Sequence, residues 1–189
     1  NNIENNNILF IGGSFTQGWG VNDEDTFSSK LQRKYKKYKV HNFGQGGYGS
    51  VQSLLMLKEQ IPKMKTPKLV IYGFIAHHEY RNVARARWLR TLAKYSKRGH
   101  VKTPYGYISK ENELFIHPPV GYLNLPLREV SSLITLIEKI YMKLKTKKRK
   151  KQQKTVTKEI ILKMKTISNK YNANFILLVL DMDDAALKN

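Results

Sequence analysis

A chain of 189 residues with 41% hydrophobic content fits one globular domain with a single sizeable core. Thirty-four Lys and Arg against 14 Asp and Glu leave a formal charge of +20, which draws a protein toward anionic partners. The lack of cysteine excludes a disulfide framework, a thiolate metal site and a cysteine nucleophile, and no run approaches the roughly eighteen apolar residues that a spanning helix needs.

The polar opening, residues 1–7, has neither region of a signal peptide. The chain starts without methionine, so an upstream signal or anchor, and with it the compartment, stays open. Ile8, Leu9, Phe10 and Ile11, closed by Gly12 and Gly13, read as a strand buried on both faces of a parallel sheet. Residues 26–38 carry Phe27, Leu31 and Tyr35 at helical spacing, 40–43 read as a second strand and 44–49 as a loop. Residues 50–60 place Val51, Leu54, Leu55 and Leu57 on a helix. Pro62 and Pro67 bracket the turn into a third strand, 69–74. Alternating short apolar runs and helical segments predict an α/β fold, a three-layer α/β/α sandwich around a mostly parallel, flavodoxin-like sheet.

Residues 77–95 read as one longer helix. The stretch 96–126, rich in Gly, Pro and Tyr, reads as an insertion after the third strand, with 105–108 and 113–116 pairing as a hairpin. Residues 127–144 are amphipathic, with Val130, Leu133, Ile134, Ile137, Ile140, Tyr141 and Leu144 at three- and four-residue steps. A second such helix carries Val156, Ile160, Ile161, Met164 and Ile167. Between them residues 143–154, opening on Lys143 and closing on Lys154, read KLKTKKRKKQQK and are expected to be a flexible basic linker. A solvated helix end or mobile loop is the stronger reading of that run, and a contact with anionic lipid, acidic polymer or nucleic acid the other. Residues 175–180 form a last buried strand, so the whole of 1–189 is expected to be a single domain.

Chemistry is expected at the carboxyl end of the first strand, where open α/β sheets place their sites. There Gly12 and Gly13 allow a sharp turn, and Ser14 heads the next helix beside backbone N–H groups that can hold an oxyanion. On local pattern alone Ser14 reads as readily as a turn or N-cap serine. Gly44, Gly46 and Gly49 spell G-x-G-x-x-G, but after the second strand and with no acid on the strand that follows, against a dinucleotide site. His77 and His78 are adjacent and lack an H-E-x-x-H setting, so neither a metal nor another cofactor is expected.

The segment Gly12, Gly13, Ser14, Phe15, Thr16, then Gly18, Gly20 and Val21, followed by residues 22–27 (NDEDTF), resembles the first block of SGNH/GDSL hydrolases. Asn42, Gly44 and Gly47 resemble the family's second block, and residues 73–82 (GFIAHHEYRN) resemble SGNH-like proteins with His and Arg-Asn at this place. The resemblance implies an esterase fold with Ser14 as nucleophile and the N–H groups of Ser14 and Gly47 as oxyanion donors. It puts His77, His78 and Asn82 forward as further donors. Gly13 departs from the family's usual aspartate. The family's base is the histidine of a final Asp-x-x-His, and none of His41, His77, His78, His100 and His117 follows an aspartate by three. Asp181, Asp183 and Asp184 come only after the last strand. The base is therefore expected outside this sequence, the domain incomplete at its carboxyl end and the chain by itself nearly inactive; a degenerate relative is the alternative. The implied function is a serine ester hydrolase or acyl transferase acting on a carbohydrate acetyl ester or lipid-like ester. Its rival is a non-catalytic module that binds an anionic polymer or membrane through the basic run.

Overall fold

The computed structural model describes residues 6–95 and 101–180; His100, Asp181, Asp183 and Asp184 lie outside the described residues. In chain order the elements are β1 (Asn6–Gly12), α1 (Ser14–Gln17), α2 (Phe27–Lys34), β2 (Tyr38–Gly44), α3 (Ser50–Gln60), β3 (Thr66–Phe74), α4 (His77–Asn82), α5 (Ala86–Tyr95), β4 (Thr103–Ile108), β5 (Leu114–Val120), α6 (Ser132–Lys145), α7 (Lys147–Lys151), α8 (Gln153–Lys170) and β6 (Asn174–Val179). They fall into two compact units, one of residues up to 78 with those from 159 onward, the other of 79–158.

The first unit holds a four-stranded sheet in the order β2-β1-β3-β6, with β1 parallel to β2 and β3 and β3 parallel to β6. The chain steps from β1 to one side and returns to the other, the reversal at which doubly wound sheets open a crevice beyond their strand ends. Successive residues of β1 point to opposite faces. Ile8 and Phe10, with Ile71 of β3, pack under Phe27 and Leu31 of α2. Leu9, Ile11, Val70 and Tyr72 are buried on the other face. There the Tyr72 hydroxyl bonds Ser50 at the head of α3, so α3 covers this face with the buried Val51, Leu54 and Leu57. Each such aliphatic side chain contributes about 1.5–3 kcal/mol by leaving water. Helices on both faces of a parallel sheet make this the α/β/α architecture expected from the sequence. The strand expected at 175–180 is β6, but it is not buried as expected: it is an edge strand of the described sheet, and Ile176, Leu177, Leu178 and Val179 are exposed.

The second unit is built around Ala84, Leu89, Tyr105, Tyr122 and Met142. The single helix expected over 77–95 is two helices. Ala84, at φ +44, breaks it, and the Arg85 N–H closes α4 on Tyr80 O at 3.1 Å. The left-handed turn costs an alanine on the order of 1 kcal/mol; Ala84 is fully buried and Arg81 stacks over Trp88 at 4.5 Å across the break. The expected hairpin is present as antiparallel β4 and β5, turning at Asn112 with φ +60. Where a flexible basic linker is expected, the chain is helical through the end of α6, α7 and the start of α8. Gln152 explains part of this order, since its amide both donates to and accepts from the backbone of Ile108 on β4, at 3.0 and 3.2 Å. Arg149 adds to it, its guanidinium 3.9 Å from the centre of the Tyr105 ring.

Candidate active site

Three glycines stand in one row across the carboxyl end of the sheet, because Gly12 pairs with Gly44 on one side and Gly73 on the other. The row is the seat of α1. A Cβ at Gly12 or Gly73 would run into the side chain of Thr16, and one at Gly44 would meet the backbone of Thr16 and Gln17. Only bare Cα atoms let the short helix lie this close to the strand ends. Ser14 is its first residue, half-buried, and Gly18 closes it at φ +90, donating to Ser14 O and Phe15 O.

Asn42 of β2 clamps this seat. Its Nδ2 donates to Thr16 O at 2.8 Å and to Ser28 Oγ at 3.1 Å, while its Oδ1 accepts the Gly44 N–H at 2.9 Å. The next loop is stitched to the first, with the Gln45 N–H donating to Gly12 O at 3.1 Å and the Tyr48 N–H to Gln45 O at 3.1 Å. Gly47 is the third residue of that turn at φ +81, the position where a type II turn needs glycine. A Cβ placed on Gly13 would lie 3.2 Å from Tyr48 O, so the Tyr48–Gly49 peptide, directly after that turn, borders the residue before Ser14.

The loop after β3 leaves from the same end and brings His78, which is fully buried. Its Nδ1 shares a 2.8 Å hydrogen bond with the Tyr72 hydroxyl, which donates to Ser50 Oγ at 2.6 Å. Since the one phenol hydrogen goes to Ser50, Nδ1 donates and carries the imidazole proton. The ring lies edge-on to Phe74 with centroids 5.7 Å apart, and Nε2 would be 2.7 Å from a Cβ on Gly13. His78 thus fills the space that a side chain at position 13 would take.

Not all the residues singled out from sequence come together. His77 is exposed. Asn82, buried in the second unit, donates through Nδ2 to Thr157 Oγ1 at 2.8 Å. His117 stacks on Tyr105 with centroids 4.5 Å apart. His41, bonded to Asn7 Oδ1 at 2.8 Å, joins Lys39, Lys63 and Lys65 around an open cleft of about 280 Å³ at the amino end of the sheet. Burial and the charge of Lys39 lower its pKa from 6.5. Among the described residues no group of three or more His, Asp or Glu is placed to hold a metal. Sequence reasoning misses Ser50 and Tyr72 and gives Asn42 no role beyond its motif. A tyrosine inside an aliphatic buried strand is the signal that was there to be used, because a buried phenol takes a hydrogen-bond partner.

No family model matches the chain, and no curated protein does. Among solved structures it is similar to AlinE4, an SGNH-hydrolase family esterase, at 14% identity over 92% of this chain and 76% of that one, with a TM-score of 0.37. It is similar to TesA at 13% identity over 89% and 76%, TM-score 0.38. A member of the lipolytic protein G-D-S-L family from Veillonella parvula DSM 2008 stands at 10% over 89% and 75%, TM-score 0.34. At these values the likeness assigns no residue a role.

Proposed function

We propose that the protein is a serine ester hydrolase or acyl transferase of the SGNH type, working through an acyl-enzyme on Ser14. The observation that carries this reading is the seat of α1: a serine at the head of a helix held against three glycines, with the Gly47 turn stitched to Gly12 through the Gln45 N–H at 3.1 Å. Ser14 Oγ attacks the ester carbonyl carbon and gives its proton to a base, while the carbonyl π pair moves onto oxygen. The N–H groups of Ser14 and Gly47 stabilise that oxyanion. Collapse re-forms the carbonyl and expels the alkoxide, which takes the proton back from the base; water, or the hydroxyl of a second substrate, then releases the acyl group by the same steps. A carbohydrate acetyl ester and a lipid-like ester both suit this chemistry.

The base is not assigned; His78, whose ring borders Gly13, is the histidine to test. The exposed lysines of α7 favour a second reading, a non-catalytic module for an anionic surface, and one experiment separates the two. The protein is incubated with a fluorophosphonate probe and a short-chain aryl ester, beside Ser14→Ala and His78→Ala. Serine-dependent labelling is expected, and any ester hydrolysis the unmodified chain shows is expected to be lost in Ser14→Ala while circular dichroism is unchanged. If His78→Ala hydrolyses as well as the unmodified chain, the base is elsewhere. Absence of any labelling at Ser14 overturns the enzyme reading in favour of the binding module.

A further inference from the structure

Helix α6 turns its apolar side to solvent. Leu133, Ile137, Ile140 and Leu144 recur at three- and four-residue steps and form one stripe, 66%, 49%, 51% and 63% exposed, with Leu136 and Tyr141 on its borders. The side of the helix that packs inward carries Glu138 and Met142, both buried. Single exposed leucines are ordinary, whereas a contiguous apolar stripe marks an interaction surface.

Glu138 sets this rotation. Its Oε1 accepts the Leu125 N–H at 2.6 Å, and its Oε2 lies 3.5 Å from Arg128 Nε. A carboxylate can be buried only with such partners. Turning α6 by half a revolution to hide the stripe would strip the carboxylate of both. The outward stripe is therefore built into the packing of the helix.

Charge identifies what covers it. Lys139, Lys143 and Lys145 lie off the stripe on α6, Lys147, Lys148, Lys150 and Lys151 continue along α7, all of them exposed, and Glu138 is the one acid between residues 132 and 154. A polyanion would satisfy the lysines and leave the stripe in water. A second copy of the chain would cover the stripe and set lysines against lysines. A bilayer with anionic headgroups satisfies both, since apolar side chains enter the acyl boundary while lysines reach up to phosphate.

We propose that α6 and α7 form an interfacial docking surface for anionic lipid membranes. This goes beyond the ester chemistry and does not depend on it, because every residue concerned belongs to the 79–158 unit.

The test is co-sedimentation of the full chain with vesicles of phosphatidylcholine alone or with about one-third phosphatidylserine. Binding to the anionic vesicles is expected to exceed that to the neutral ones at least about tenfold and to weaken with salt. Leu133→Ser with Ile137→Ser, Ile140→Ser and Leu144→Ser should lower it at least about tenfold, since each removes apolar surface from the lipid. Lys147→Gln with Lys148→Gln, Lys150→Gln and Lys151→Gln should remove most of its salt dependence; Arg149 is left alone because it packs on Tyr105. Ile140→Trp supplies a second readout that needs no loss of stability, with an emission blue shift on adding anionic vesicles expected beyond any shown by the unmodified chain, which carries Trp19 and Trp88. The proposal is overturned if the unmodified chain does not sediment with anionic vesicles or that additional shift is absent. It is equally overturned if the serine set binds as the unmodified chain does, which indicates a polyanion site. Finally, it fails if the serine set only converts a dimer to a monomer in sedimentation velocity, which makes the stripe a self-association surface.

Discussion

Replacing Gly13 by alanine tests how tightly the Ser14 loop and His78 are fitted together. Gly13 has φ −92 and ψ −155, open to any L residue, so the backbone is not strained by the change and the cost is one of space. The new Cβ would lie 2.7 Å from His78 Nε2 and 3.2 Å from Tyr48 O. The imidazole has nowhere to retreat, with Nδ1 held by Tyr72 at 2.8 Å and Tyr72 held by Ser50 at 2.6 Å. Overpacking of this kind costs about 1–3 kcal/mol, which lowers Tm by roughly 2–10 °C in a chain of this size. His78→Ala alone removes a buried ring and a partner of Tyr72, at about 2–4 kcal/mol. With that space emptied, Gly13→Ala should cost almost nothing, a coupling of about 1–3 kcal/mol between the two sites. Thermal denaturation of the four proteins by circular dichroism measures the cycle. If Gly13→Ala is equally costly in both backgrounds, the ring does not occupy the place of a side chain at 13.

Asn42→Ala removes two donated bonds and one accepted bond from the seat of α1. A loss of about 2–3 kcal/mol in urea denaturation is expected, with Asn42→Asp intermediate because it keeps the acceptor for the Gly44 N–H; full stability in the alanine variant would show the clamp to be incidental. His41 gives a pH dependence. Its folded-state pKa lies below the unfolded value of 6.5, through burial and then Lys39, so below pH 6.5 the unfolded chain binds the extra proton. The contribution is present above 6.5 and lost as pH falls from there through the folded value. Denaturation midpoints across that window should fall less steeply in His41→Asn, and an unchanged slope would count against it.

The amino-terminal sheet was legible because its signals are local. Ile8 to Ile11 ending on two glycines can be little else than a buried strand feeding a tight turn, and the loop glycines announce a close approach of backbone. What could not be read was which groups meet across the sheet. Gly12, Gly44 and Gly73 form a row only through strand register, and His78 finds Gly13 only when β3 lies beside β1. The α6 pattern showed that an apolar stripe exists, but periodicity carries no information on what it faces. Its orientation follows from Glu138 and Leu125, thirteen residues apart. Likewise, nothing in the propensities of 77–95 disfavours one continuous helix, and the break at Ala84 comes from tertiary contacts of its neighbours, such as the Ala86 N–H donating to Thr146 Oγ1 at 3.3 Å. The basic run looked mobile because like charges repel, a force offset here by side chains within it that reach inward, among them Thr146, Arg149 and Gln152.

The strand order also bears on how the molecule is made. β1, β2 and β3 lie within the first 74 residues, and the groups around Ser14, from Asn42 and Gly47 to Tyr72 and His78, are complete by residue 78. β6 pairs with β3 from Leu69 to Asn174, across roughly a hundred residues of intervening chain, and closing so long a loop is slow. During synthesis from the amino end, the corner around Ser14 can therefore assemble while the rest of the polypeptide is still being added. β3 then waits with an unpaired edge, and the interval before β6 arrives is when a nascent chain is most open to pairing with the wrong strand.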